Sequence, residues 1–84
     1  MNYNKLIKFY KGYVLLEIHS ELNTKGIFSI DEVDQLLKTH AETDKSCKEM
    51  DYDELLELIT WSFDFGNSIG LNLNFKNNEW NESI

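Results

Sequence analysis

The strongest constraint on the fold lies in residues 50–66, the most apolar stretch of the chain that also carries a helix start. Asp51 is placed as an N-cap, its carboxylate accepting from the free N–H groups of the first turn, and Glu54 stands three residues on, where it can reach back to the Asp51 N–H. Met50 and Leu55 have the spacing of a hydrophobic staple, and Asp53 and Glu54 sit at the positive end of the helix dipole. At 100° per residue, Leu55, Leu56, Ile59 and Phe63 fall on one side of the wheel, with Leu58, Trp61, Phe65 and Ile69 adjoining. Together they cover roughly 220°, against the ~100° stripe of a surface helix. Asp53, Glu57, Thr60, Asp64 and Asn67 form the wet strip. A helix this broadly apolar is either the central member of a bundle or a seam between two copies of the chain through Trp61 or Phe65.

Around that helix the chain of 84 residues has room for one domain. A domain this small is marginal alone, and oligomerisation is one remedy, so a homodimer is a candidate state. Cys47 is the sole cysteine, so no internal disulfide can form, which points to a reducing cytoplasm. A hydrophobic content of 42% is ample for a core and argues against disorder. No stretch approaches the ~20 apolar residues of a membrane span, and no signal peptide is visible.

Residues 3–22 read first as a helix, with Tyr3, Leu6, Ile7, Tyr10, Tyr13 and Val14 on one face. After Gly12 the pattern drifts: Glu17 and Glu21 rotate into the apolar face while Leu15, Ile18 and Leu22 lie nearly opposite. Three readings account for this: a helix packed on two sides, a bend near Gly12, or a strand over residues 13–18. Residues 23–26 form a stop and turn. Ser29 then caps a second helix with Glu32 completing the box and Phe28 and Val33 the staple. Its apolar face is predicted as Val33, Leu36, Leu37 and Ala41, with Asp31, Asp34, Gln35 and Lys38 elsewhere. Residues 40–49 are a polar connection. Gly70 is the expected stop for the third helix. Leu71, Leu73 and Phe75 alternate with polar residues, so this segment is expected to be extended against the body. The expected fold is mainly α: a small three-helix bundle with an extended C-terminal segment, one helical domain over residues 1–76 and a polar tail over 77–84.

Charge narrows the function. The net charge is −7, and no arginine is present. Residues 1–25 hold four lysines against two acids; the rest holds four lysines against thirteen acids. Phosphate neutralisation supplies most nucleic-acid affinity, and arginine is the preferred fork for phosphate and guanine edges. The composition therefore argues against direct nucleic-acid binding and for a partner with a basic surface.

Catalytic and metal signatures are weak. The four glycines are scattered rather than gathered in a phosphate loop. His19, His40 and Cys47, even with Asp44, lack the close paired spacing of a zinc site. Cys47 with His40 could make a thiolate nucleophile, but Glu49 and Asp51 nearby oppose activation. Asp31, Glu32 and Asp34 do not match a calcium loop. The expectation is a non-enzymatic protein without metal or cofactor.

Residues 45–59, opening with Lys45 and Ser46 and running through the capped helix start at Asp51, are followed by Trp61 and an ending at Gly66, Gly70 and Leu71. This arrangement resembles a module of small phage-encoded accessory proteins, such as the NinB-like recombination accessory family, over residues 45–73. There a Lys-Ser/Thr turn precedes a Glu- and Leu/Phe-rich helix, which a glycine and an aliphatic extension follow. The resemblance implies a phage or mobile-element origin and a place in the host cytoplasm. It transfers no catalytic residue.

Two functional expectations follow. In the first, the chain is an interaction module whose acidic surface binds a host nucleic-acid-handling or defence protein, with inhibition of that protein as one outcome. Glu42, Asp44, Glu49, Asp53, Glu57 and Asp64 supply the field, with Trp61 and Trp80 as anchors. In the second, it is a recombination or replication accessory subunit that contacts DNA through Lys5, Lys8 and Lys11.

Overall fold

The computed structural model describes residues 2–26 and 28–75. Trp80 and the predicted tail lie outside the described residues. The fold is mainly α, as expected: three helices and no strand among the described residues. They are α1 (residues 3–23), α2 (Ile30–His40) and α3 (Tyr52–Ser68).

Helix α1 is one rod with a π-helical turn in its middle. Its ends, Tyr3–Phe9 and Leu15–Asn23, are α-helical, and Tyr10–Val14 is π-helical, with the Leu15 N–H donating to the Tyr10 carbonyl five residues back. This turn resolves the drift after Gly12. In an unbroken α-helix, positions 6, 10, 14 and 18 precess by 40° per step, roughly 120° in all. One extra residue in a single turn subtracts about 100° of that. Leu6, Phe9, Tyr10, Val14, Leu15 and Ile18 are consequently all buried. Glu17 stays exposed instead of rotating into the core. Residues 13–18 are therefore helical, which corrects the strand alternative.

The turn into α2 is held by side chains of α1. The Phe28 N–H donates to Asn23 Oδ1 at 2.9 Å. The Phe28 carbonyl can only accept, so His19 Nε2, 2.9 Å away, donates to it. The predicted box forms at Ser29 and Glu32, with bonds of 2.8 and 3.1 Å. The predicted face of α2 is only half right. Val33 and Leu37 are fully buried, but Leu36 is 40% exposed and Lys38 only 9%. The helix is rolled so that the Asp34–Lys38 edge faces α1. There the Tyr10 hydroxyl donates to Asp34 Oδ1 at 2.6 Å, and Lys38 Nζ meets Asp34 Oδ2 at 2.7 Å. A buried charge needs such partners, and the triad supplies them.

The connection to α3 is pinned in its second half, which corrects the expectation of a merely polar loop. Cys47–Glu49 form a 3₁₀ turn, and Cys47 and Met50 are buried. The Tyr3 hydroxyl lies 2.8 Å from both the Cys47 and Met50 carbonyls, so its one proton is shared between them. Asp51 and Glu54 then form the predicted box.

Along α3, Leu55, Leu58 and Ile59 are fully buried against α1 and α2. Ser62 is buried too; its hydroxyl donates to the Leu58 carbonyl at 2.7 Å, which satisfies it locally. Phe63 joins Phe9 and Phe75 in a cluster with ring centroids 5.0–6.0 Å apart. Gly70, at φ +103°, ends the helix, with the Leu71 N–H donating to the Gly66 carbonyl at 3.0 Å. The chain then turns back as expected: Leu73 is buried against Gly66, and its N–H donates to Asn67 Oδ1 at 2.8 Å. Among the described residues, no helix is long and apolar enough to cross a membrane.

Candidate functional site

The wet strip of α3 is exposed as expected at Asp53, Glu57, Thr60, Asp64 and Asn67, and Trp61, which the helical wheel placed on the apolar arc, is exposed with it. Trp61 is the notable member, a large ring left 41% exposed. Glu57 stands one turn before it and Asp64 just under one turn after it. The last residue of α2 supports the ring. His40 meets Trp61 edge-on, with centroids 5.4 Å apart and planes at 85°, and meets Phe65 at 5.7 Å. Its Nε2 lies 3.4 Å from Asp64 Oδ2, a carboxylate whose side chain is 69% exposed. His40 is thus tied to the aromatic face rather than to Cys47.

A groove of about 390 Å³ adjoins this face, between the connection after α2 and the first half of α3. It brings together Glu42, Asp44 and Glu57, three of the residues expected to supply the acidic field. It also includes Glu54, which sequence reasoning treated only as a cap. Lys45 reaches across the groove rim, its Nζ 2.5 Å from Glu54 Oε2. That contact holds the Glu54 carboxyl below its ordinary range, with the Asp51 N–H helping, and raises Lys45. Glu57 belongs to both regions, so groove and aromatic face form one continuous surface.

Glu42 occupies an unusual position. It has φ +60° and ends α2, the Thr43 N–H donating to the Lys38 carbonyl at 2.9 Å and the Glu42 N–H to the Thr39 carbonyl at 3.0 Å. This is the same termination that Gly70 serves in α3, with glutamate where glycine is normally favoured.

Glu49 is not part of the groove. Its carboxylate accepts from the Ser46 N–H at 2.9 Å, and that backbone bond, reinforced by the Ser46 hydroxyl, lowers its pKa. Asp53 lies on the strip but does not line the groove. The Ser46-x-x-Glu49 spacing was the available sign that Glu49 would be occupied as a cap.

The other candidates separate. Cys47 is 4% exposed, and burial pushes its thiol up, against the opposing pull of Lys38. It is not an activated thiolate in this setting. Among the described residues, no three His, Cys, Asp or Glu side chains converge as a metal site. Lys8 and Lys11 are exposed and Lys5 half-buried; Lys11, in the π turn, lines a second cleft with Lys38 and Lys48.

The fold and this surface define a small three-helix protein with an acidic groove beside an exposed tryptophan. Compared with protein-family models, curated proteins and solved structures, the chain finds no significant match in any of the three.

Proposed function

We propose that this chain is a non-enzymatic interaction protein of phage or mobile-element origin. Its acidic-aromatic surface docks on a basic surface of a host nucleic-acid-handling or defence protein and occludes it. The observation that carries this reading is the position of Trp61, exposed between Glu57 and Asp64 and backed by His40. A rigid aromatic anchor supplies binding energy at an interface centre, and carboxylates around it supply steering and select a positive partner. The groove carboxylates Glu42, Asp44 and Glu57 extend the same field, while Glu54 is neutralised by Lys45. Support for the origin is the resemblance of residues 45–73 to small phage accessory proteins.

Immobilised protein exposed to a bacterial host lysate tests the reading. The expected result is retention of a basic protein at low salt and its release between about 0.1 and 0.5 M salt, where the Debye length falls below ~5 Å. Trp61→Ala and Glu57→Lys are expected to abolish retention while leaving the helical circular dichroism unchanged. Retention that survives both high salt and both substitutions would overturn it.

A further inference from the structure

Three uncommon features meet at one place away from the acidic groove. The first is the π turn at Tyr10–Val14. Such turns are rare, and as single insertions within α-helices they concentrate at functional sites. The second is the triad in which Tyr10, fully buried, and Lys38, nearly so, both bind Asp34. A core of this size would be simpler to build from apolar side chains, and departures from local rules gather where function demands them. The third is a cleft of about 460 Å³ opening over that triad. It is lined by Lys11 of the π turn, Lys38 of α2 and Lys48 of the 3₁₀ turn, together with Leu15, Ile30 and Cys47.

The charges of the cleft do not cancel. Asp34 is committed to Tyr10 and Lys38. That leaves Lys11 and Lys48, which have no ion-pair partner among the described residues, against one further lining carboxylate, Asp31. In a chain of net charge −7, this cleft carries a local excess of ammonium groups. Lysine ammonium groups are compact point charges on adaptable stems, suited to a carboxylate or phosphate oxygen. Leu15 and Ile30 provide apolar wall, and the volume lies within the 300–1,000 Å³ usual for small-ligand sites.

The geometry points to this cleft as a binding site for a small organic anion, a carboxylate or phosphate monoester carrying a short apolar body. The anionic group sits between Lys11 and Lys48, and the body lies against Leu15 and Ile30. The Tyr10–Asp34–Lys38 triad is a positioning element that holds α2 against the π turn and so sets the width of the cleft.

Titration of the ¹⁵N-labelled protein with hexanoate and with hexyl phosphate tests this, the two probes separating carboxylate from phosphate recognition. The expected result is saturable amide shifts at Lys11, Asp31, Cys47 and Lys48 with at least one probe. Inorganic phosphate, lacking the apolar body, is expected to bind about tenfold more weakly, and hexylamine not to bind. Lys11→Gln and Lys48→Gln, both at exposed positions, are each expected to weaken binding about fivefold with the fold intact. Absence of saturable shifts, equal response to hexylamine, or affinity undiminished in both variants would overturn the assignment. None of these outcomes bears on the Trp61 surface.

Discussion

The Tyr10 hydroxyl donates to Asp34 Oδ1 at 2.6 Å, a bond that reaches from the π turn of α1 to the second turn of α2. Asp34 holds Lys38 through its other oxygen, so both charges are compensated within the protein. Burial, and then the Asp34 hydrogen bond, push the Tyr10 phenol far above its ordinary range, so it remains a donor. Tyr10→Phe removes the donor and leaves a half-shielded carboxylate oxygen short of a partner, at an expected cost of about 1–2 kcal/mol. Asp34→Ala strands the Lys38 ammonium and is expected to cost more, about 3 kcal/mol. Urea unfolding of the two variants checks the ranking; equal stability to the parent would mean the triad is dispensable.

Gly66 is where the returning chain closes on α3. A β-carbon there would collide with the Cδ1 of Leu73, which is itself buried, and would touch Ile18. Alanine gains about 1 kcal/mol of helix propensity, but overpacking a filled core costs about 1–3 kcal/mol. Gly66→Ala is therefore expected to destabilise the protein on balance, by about 1 kcal/mol. The diagnostic measurement is a double-mutant cycle: in a Leu73→Ala background the obstruction is gone, and the same change should become neutral or stabilising.

How much could be read from the chain divides along the range of the interactions. The caps at Ser29–Glu32 and Asp51–Glu54 were legible because each joins residues only three apart. The strip of Asp53, Glu57, Thr60, Asp64 and Asn67 was legible from helical spacing alone, but the exposure of Trp61 was not, since the same spacing put its ring on the apolar arc. The π turn was not, since whether Leu15 bonds four or five residues back is settled by what packs on α1 from outside. The exchange of Leu36 for Lys38 on the inner edge of α2 has the same origin: helical spacing allows either roll, and Tyr10 in a distant segment decides. The groove needed the path of residues 41–51, and His40 needed the α2–α3 crossing, so neither could be placed in advance.

Acid should loosen the connection and the start of α3. Glu49 is lowered by the Ser46 N–H and hydroxyl, and Glu54 by Lys45 and the Asp51 N–H. A carboxyl with a depressed folded pKa contributes stability that is complete above its unfolded value, about 4.3, and is lost as pH falls through the lower folded value. Urea midpoints are expected to hold steady down to about pH 5 and to decline below about pH 4. Glu49→Gln combined with Glu54→Gln is expected to flatten that decline, because glutamine can cap but does not titrate there. An unchanged slope in the double variant would assign the acid sensitivity to other groups.

Glu42 allows stability and binding to be separated in one substitution. Helices α2 and α3 end in the same hydrogen-bonded turn, but α3 places Gly70 at the left-handed position and α2 places Glu42 there at φ +60°. A residue with a β-carbon pays about 1–2 kcal/mol for that conformation, and glycine avoids most of it. Glu42→Gly is therefore expected to stabilise the fold by about 1 kcal/mol, a rise in Tm of about 4–8 °C for a domain of this size. The same change removes a carboxylate from the groove. If the groove is part of the docking surface, the more stable variant binds its basic partner more weakly, with the loss concentrated at low salt. Glu42→Gln supplies the comparison, since it keeps the backbone cost and removes only the charge: it should match glycine in binding and the parent in stability. Full affinity in both variants would exclude Glu42 from the surface, and an unchanged Tm in Glu42→Gly would show that the left-handed turn is not where stability is lost.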